Sequence, residues 1–162
     1  MNKVKVYCAC SWFNTEQTDH MNKVYKALKE NKTCDYENSY RPLDLQFEGV
    51  NVDENPEFLE EHYQQIAWGN ETYQNDISGI SNSDIGVFAY CLGNDEDSGQ
   101  AYELGYMRAL GKPTIVVIPD NQKDLPMNLM IAYGATMVVT LSEFKDLDLN
   151  KIFNKPFNGN LF

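Results

Sequence analysis

Polar and apolar positions alternate at the start of the chain. Val4, Val6 and Cys8 fall between polar neighbours, the period-two pattern of a strand over about 3–9. Met21, Val24, Tyr25 and Leu28 then recur at helical spacing and predict a helix over roughly 16–30. A second, weaker strand is expected near 34–40. The stretch 41–54, with Pro42, Gly49 and several acidic residues, is expected as a long loop. Asn55-Pro56 supplies a cap residue followed by a first-turn proline, a helix start. Phe58, Leu59, Tyr63, Ile66 and Ala67 mark one apolar face, and Tyr73, Ile77 and Ile80 continue it past an expected break at Gly69-Asn70.

The second half is clearer. Ile85 to Tyr90 is a short apolar run suited to a buried strand, and the polar loop 92–97 leads into a helix from about Ser98 to Leu110. Gly111 and Pro113 close that helix, and Thr114-Ile-Val-Val-Ile118 is a continuous buried strand. A short helix near 127–133, a strand at 136–140 and a last helix near 142–150 complete the pattern. Strands alternating with helices imply an α/β fold with a parallel sheet covered on both faces. The expected architecture is a flavodoxin-like three-layer sandwich with a five-stranded, mainly parallel sheet.

Composition narrows the partners. The 162 residues carry no linker, repeat or low-complexity stretch, so one domain over 1–162 is expected. A net charge of −11 repels phosphate backbones and anionic lipid, which argues against nucleic-acid and membrane partners and suits a small uncharged substrate. The opening residues lack the apolar core of a signal peptide, and no run of about 18 apolar residues occurs. Cys8, Cys10, Cys34 and Cys91 sit at no recognised metal or disulfide spacing and are expected as reduced thiols of a cytoplasmic protein.

In open parallel sheets, ligands bind beyond the carboxyl ends of the strands. Four segments reach that edge: Tyr7 to Phe13, Arg41 to Gly49, Leu92 to Glu103, and Pro119 to Asn128. In the third, Asp97 precedes a helix that carries Glu103 about one turn in. A carboxylate near a helix N-terminus is held in its charged form, which suits nucleophilic attack at a sugar carbon. The alternative is a capping Asp97 and a solvated Glu103. Asp76, on the long central helix, offers a second carboxylate, so that one attacks while the other handles a proton on the leaving group. Its alternative is a surface residue on a polar face. No phosphate-cradling glycine loop and no nucleophile elbow is present. His20 and His62 are expected at the surface.

Several motifs resemble those of bacterial nucleoside 2-deoxyribosyltransferases of the lactobacillus type. They are Tyr7 with Trp12-Phe13, Glu37-Asn-Ser-Tyr40, Pro42-Leu-Asp44 with Gln46 and Gly49, Val52 to Glu57, Thr72-Tyr-Gln-Asn-Asp76, Asp97-Ser-Gly99 with Tyr102 to Tyr106, and Met127 to Met130. They cover nearly the whole chain in the family's order. The resemblance implies transfer of a 2-deoxyribosyl group between purine or pyrimidine bases, through a covalent ester on Glu103 and with net retention. It implies that Tyr7 orients Glu103, Asp76 exchanges a proton with the base, Gln46 lies near the base, and Asp97 grips the sugar hydroxyls. Trp12 and Phe13 are implied to wall the pocket, and Asn128 to reach the 5′-hydroxyl of a neighbouring subunit's substrate. The family works without metal or organic cofactor, on deoxyribonucleosides and free nucleobases, as homohexamers built from dimers. It commonly ends in a tyrosine whose terminal carboxylate helps build the site, whereas the last residue here is Phe162.

The first half resembles the class that accepts all bases, while Gly79-Ile-Ser-Asn82, Met107-Arg-Ala109 and Asn128 to Ala132 resemble the purine class. Gln46 and its loop favour the broad class. Two other functions compete: a hydrolase cleaving deoxynucleoside 5′-monophosphates, which the acidic 94–97 run disfavours, and a non-catalytic flavodoxin-like binding module.

Overall fold

Among the described residues, three of the four strands are buried at every position: those at 85–89 and 114–118 are written as nearly continuous apolar runs, whereas the one at 6–10, expected to alternate, buries Tyr7 on its second face. The structure, a computed structural model, describes residues 3–45, 47–52, 54–93 and 96–162. Its strands are β1 (Val6–Cys10), β2 (Ile85–Ala89), β3 (Thr114–Ile118) and β4 (Met137–Thr140). They pair in parallel in the order β1-β2-β3-β4. The helices are α1 (Thr15–Glu30), α2 (His62–Asn82), α3 (Ser98–Ala109), α4 (Leu129–Gly134) and α5 (Leu141–Phe144).

Alternation along the strands divides the core in two. Val6, Cys8, Val87, Ile115, Val117 and Val139 pack with Met21, Val24 and Leu28 of α1 and Phe144 of α5. Tyr7, Ala9, Phe88, Val116 and Ile118 point the other way, onto Ile80 of α2, Leu104 and Met107 of α3 and Ile131 of α4. Each large side chain so buried contributes about 1.5–3 kcal/mol of transfer free energy. The sheet therefore lies between α1 with α5 on one face and α2, α3 and α4 on the other, the α/β arrangement expected.

The fifth strand does not form. The segment 33–40 touches the outer edge of β1 only at the bridges Val4↔Cys34 and Tyr7↔Tyr40. Between them Tyr36–Asn38 winds into a 3-10 turn, and the Ser39 hydroxyl takes the Val6 N–H that a strand carbonyl would have taken. Arg41 holds this turn, its guanidinium over the Tyr36 ring and bonded to Tyr36 O and Asp44.

Other boundaries also moved. The Asn55 side chain donates to Asn51 O instead of capping, so Pro56–Leu59 forms a 3-10 turn and α2 begins at His62. Helix α2 runs through Gly69 without the expected break, since one interior glycine costs only about 1 kcal/mol. Residues 41–54 contain 3-10 turns at Pro42–Asp44 and Phe47–Gly49. The last helix is short because the following backbone bonds elsewhere: Asn31 donates to Leu147 O and Leu149 N to the Thr33 hydroxyl. A separate turn, Leu149–Lys151, is capped by Asp148. His20 is not at the surface: it is 3% exposed and its Nε2 lies 2.8 Å from Val117 O. Burial lowers its pKa, so the ring is neutral and satisfies a strand-end carbonyl.

Candidate active site

Helices α2 and α3 pack on the same face of the sheet and flank an open cavity of about 450 Å³. It is lined by Trp68, Thr72, Tyr73, Asp76, Tyr102 and Glu103, with Gly69, Ile77 and Gly99. Trp68, Thr72 and Asp76 follow one another at four-residue spacing and so share a face of α2. Glu103 is on the flank of the α3 face whose Gln100, Leu104 and Met107 are buried, which turns it toward the sheet rather than toward solvent. Leu104 and Met107 anchor α3 in the core and thereby fix where Glu103 stands. Tyr73 and Tyr102 close the outer side, their hydroxyls 3.0 Å apart.

The two carboxyl groups meet at the floor. Glu103 is pushed up to about 8, chiefly by burial, while Tyr7 pulls it down and Asp76 and Asp97 raise it further. Asp76 is raised by burial and lowered by Tyr40, whose hydroxyl donates to its Oδ1 at 2.8 Å. The helix N-terminus thus does not keep Glu103 charged: desolvation outweighs the dipole, contrary to the expectation from position alone. Neither is Glu103 simply a solvated residue. Both carboxyls are therefore held less acidic than ordinary carboxylates.

Beneath them lies Tyr7, fully buried on β1 with its hydroxyl directed at the carboxyl pair. No described group meets full hydrogen-bond geometry with that hydroxyl, and Glu103 is the neighbour whose charge it stabilises. Such contacts commonly tighten when substrate arrives. The Tyr7 and Tyr40 rings stack, centroids 5.3 Å apart and planes 10° from parallel.

Asp97 is both cap and link. Its Oδ1 accepts from Gly99 N at 2.7 Å and its Oδ2 from the Ser11 hydroxyl at 2.9 Å. Gln100 Nε2 donates to Ser11 Oγ at 2.6 Å and to Ala89 O at 3.2 Å, tying α3 to the ends of β1 and β2.

Among the expected site residues, Glu103, Asp76 and Tyr7 come together, with Asp97 six residues before Glu103 as the cap of α3. Asn128 does not join them. It lines a separate cavity of about 480 Å³ on the other side of α3, with Asp97, Arg108 and Met130. Phe162 lies beside Asn128's segment, its N–H donating to Met127 O at 3.1 Å. Trp12 and Phe13 follow β1, rings 6.0 Å apart, and do not line the carboxyl cavity. Gln46 is outside the described residues. Sequence reasoning quoted Tyr40, Tyr73 and Tyr102 within motifs but gave them no role, and gave none to Trp68, Ser11 or Gln100. Helical spacing backward from Asp76 points to Thr72 and Trp68; the partners of Asp97 have no such signal. Among the described residues, no group of three or more His, Cys, Asp or Glu is placed to hold a metal ion.

The sequence model of the nucleoside 2-deoxyribosyltransferase family matches residues 6–130. A nucleoside deoxyribosyltransferase of Lactobacillus leichmannii is 43% identical over 155 residues, 93% of each chain. One of Lactobacillus johnsonii is 39% identical over 93% of this chain and 98% of its own. A solved 2-deoxyribosyltransferase from the psychrotolerant Bacillus psychrosaccharolyticus has the same fold, with a TM-score of 0.73 at 24% identity, over 95% of this chain and 99% of that one. The chain belongs to the nucleoside 2-deoxyribosyltransferase family.

Proposed function

We propose that this enzyme moves a 2-deoxyribosyl group from a deoxyribonucleoside to another purine or pyrimidine base. The observation that carries the reading is a pair of desolvated carboxyls, Glu103 and Asp76, facing one aromatic-walled cavity, each with its own tyrosine. In the first half-reaction a Glu103 oxygen bonds to C1′ while the C1′–N bond breaks and its electrons pass to the base. Asp76 gives the base a proton. In the second, a nitrogen of the incoming base bonds to C1′, its proton passes to Asp76, and the ester electrons return to Glu103. Two inversions leave the β configuration unchanged. The reactive microstate has Glu103 ionised and Asp76 protonated, and the Tyr7 phenol favours the first of these.

With substrate bound, the aromatic walls would exclude water, which would otherwise compete with the acceptor base. No cationic side chain lines this cavity among the described residues, which favours an uncharged nucleoside over a 5′-monophosphate. Asp97, anchored by Ser11, would bind the sugar hydroxyls, with Gln46 near the base; Trp12 and Phe13, outside the cavity in the single chain, and Phe162, beside Asn128, would close on the pocket only in the assembled, substrate-bound enzyme.

The working unit in this reading is a cytoplasmic homohexamer, a trimer of dimers, in which Asn128 reaches a neighbour's substrate. Asn128 faces away from its own Glu103, and the adjoining Leu129, Met130 and Tyr133 are exposed apolar side chains. No helix among the described residues is long and apolar enough to cross a membrane. Counting the interrupted 33–40 segment as an outer strand gives a flavodoxin-like order.

The test is chromatographic: thymidine or deoxyinosine as donor, adenine or cytosine as acceptor, without phosphate. New deoxynucleoside from both donors supports the broad class, and product from deoxyinosine alone indicates the purine class. Cleavage of a deoxynucleoside monophosphate without transfer overturns the reading in favour of a hydrolase. Full activity in Glu103→Ala overturns the covalent mechanism.

A further inference from the structure

Tyr40 is held from three directions. Its backbone is pinned to the edge of β1, with Tyr40 N donating to Val6 O and Cys8 N to Tyr40 O, both at 2.9 Å. One face of its ring stacks on Tyr7. The ring also packs against the backbone of α2 at Gly79, where a Cβ would lie 2.4–2.7 Å from ring carbons Cγ, Cδ1 and Cδ2. No side chain fits there without displacing the ring. Asp76 is three residues before Gly79, on the same face of α2, and receives the Tyr40 hydroxyl.

We propose that Tyr40 is a positioning residue for the proton-transfer step: it occupies Oδ1 of Asp76 and leaves Oδ2 as the oxygen that exchanges a proton with the base, while Gly79 is the position that lets the ring stand there. This rests on the transferase reading. When the donor is cleaved, the Asp76 Oδ2–H bond breaks and the proton passes to the departing base. When the acceptor attacks, a proton from that base returns to Oδ2. The Tyr40 proton stays on its own oxygen throughout, because burial and the neighbouring Asp76 and Glu103 raise the phenol far above the ordinary tyrosine value. A donor that never ionises stabilises the Asp76 anion more than the neutral acid, so it makes Asp76 a better acid than burial alone would leave. The ionisable groups facing Asp76 are Tyr40 and Tyr7 from the sheet side, both kept protonated, and Glu103 from α3.

The test is the pH profile of kcat/KM for transfer from deoxyinosine to adenine, in wild type and Tyr40→Phe. Phenylalanine keeps the ring and its stacking and removes only the donor. The limb belonging to Asp76 is the one that Asp76→Asn abolishes. In Tyr40→Phe it moves to higher pH by about one unit, and kcat falls about tenfold with donor KM within about twofold. The position of a limb does not depend on how much of the protein is folded. Gly79→Ala, which pushes the ring away, shows the same shift with a larger fall in kcat. Adding Tyr40→Phe to Asp76→Asn costs nothing more. An unshifted limb in Tyr40→Phe with kcat within about twofold of wild type would overturn the proposal and leave the transferase standing. A wild type that forms no deoxynucleoside overturns the transferase reading itself.

Discussion

Ser11, just past the end of β1, donates its hydroxyl to Asp97, the residue that caps α3, across 86 positions of sequence. That bond joins the start of the helix carrying Glu103 to the sheet, and Gln100 adds a second tie to the same hydroxyl. The orientation of the nucleophile proposed here thus depends on a polar hinge as well as on Leu104 and Met107.

Asp97→Ala removes both the cap and the Ser11 contact. It should lower stability by about 2 kcal/mol, measured by urea denaturation, and weaken donor binding. Asp97→Asn retains an oxygen for Gly99 N and should recover about half of the stability but not the sugar contact.

Glu103→Gln should abolish transfer, with a fall of more than about a thousandfold in kcat. The same change should stabilise the fold at neutral pH. The folded-state value of about 8 lies above the ordinary glutamate value of 4.5, so the unfolded chain ionises first and the carboxyl penalises folding increasingly between those values. Melting temperatures of mutant and wild type should therefore agree near pH 4 and diverge by several degrees in the mutant's favour by pH 8.

Tyr7→Phe removes the phenol that draws the Glu103 value down. The acid limb of kcat/KM, where activity rises as Glu103 ionises, should move up by about one pH unit. Activity at pH 6 should drop about tenfold while activity near pH 9 changes little. A limb that stays in place would remove Tyr7 from its proposed role.

Mixing tests the shared site. Asn128→Ala and Glu103→Ala proteins should each be nearly inactive alone. Co-refolded, they should regain about a quarter of wild-type activity if Asn128 of one subunit serves Glu103 of another, because random pairing makes about one site in four intact. No recovery would place Asn128 outside the neighbour's site.

The central strands were legible because a parallel strand buried on both faces must be apolar throughout, as in Thr114 to Ile118. Helix α1 and helix α3 were legible from apolar spacing and from Gly111 after the last turn. The 33–40 segment was not, because Ser39 replaces a backbone acceptor with a hydroxyl, and nothing local announces that exchange. His20 misled for a similar reason: its polar neighbours suggested solvent, but its partner is the Val117 carbonyl, 97 residues away. Glu103 and Asp76 could be named from motifs, whereas the upward shift of both carboxyls followed from burial that only packing creates. The bond from Tyr40 to Asp76 joins residues 36 apart and has no periodicity to betray it.

The 3-10 turn at Tyr36–Asn38 has a consequence for behaviour at high concentration. An uninterrupted outer strand would display a row of free amides and carbonyls on which another chain could add itself, the usual start of fibrillar aggregation. Here the extended backbone lasts only a residue or two before the turn lifts it away, with Arg41 clasping the bend. That margin of the sheet is closed to strand addition.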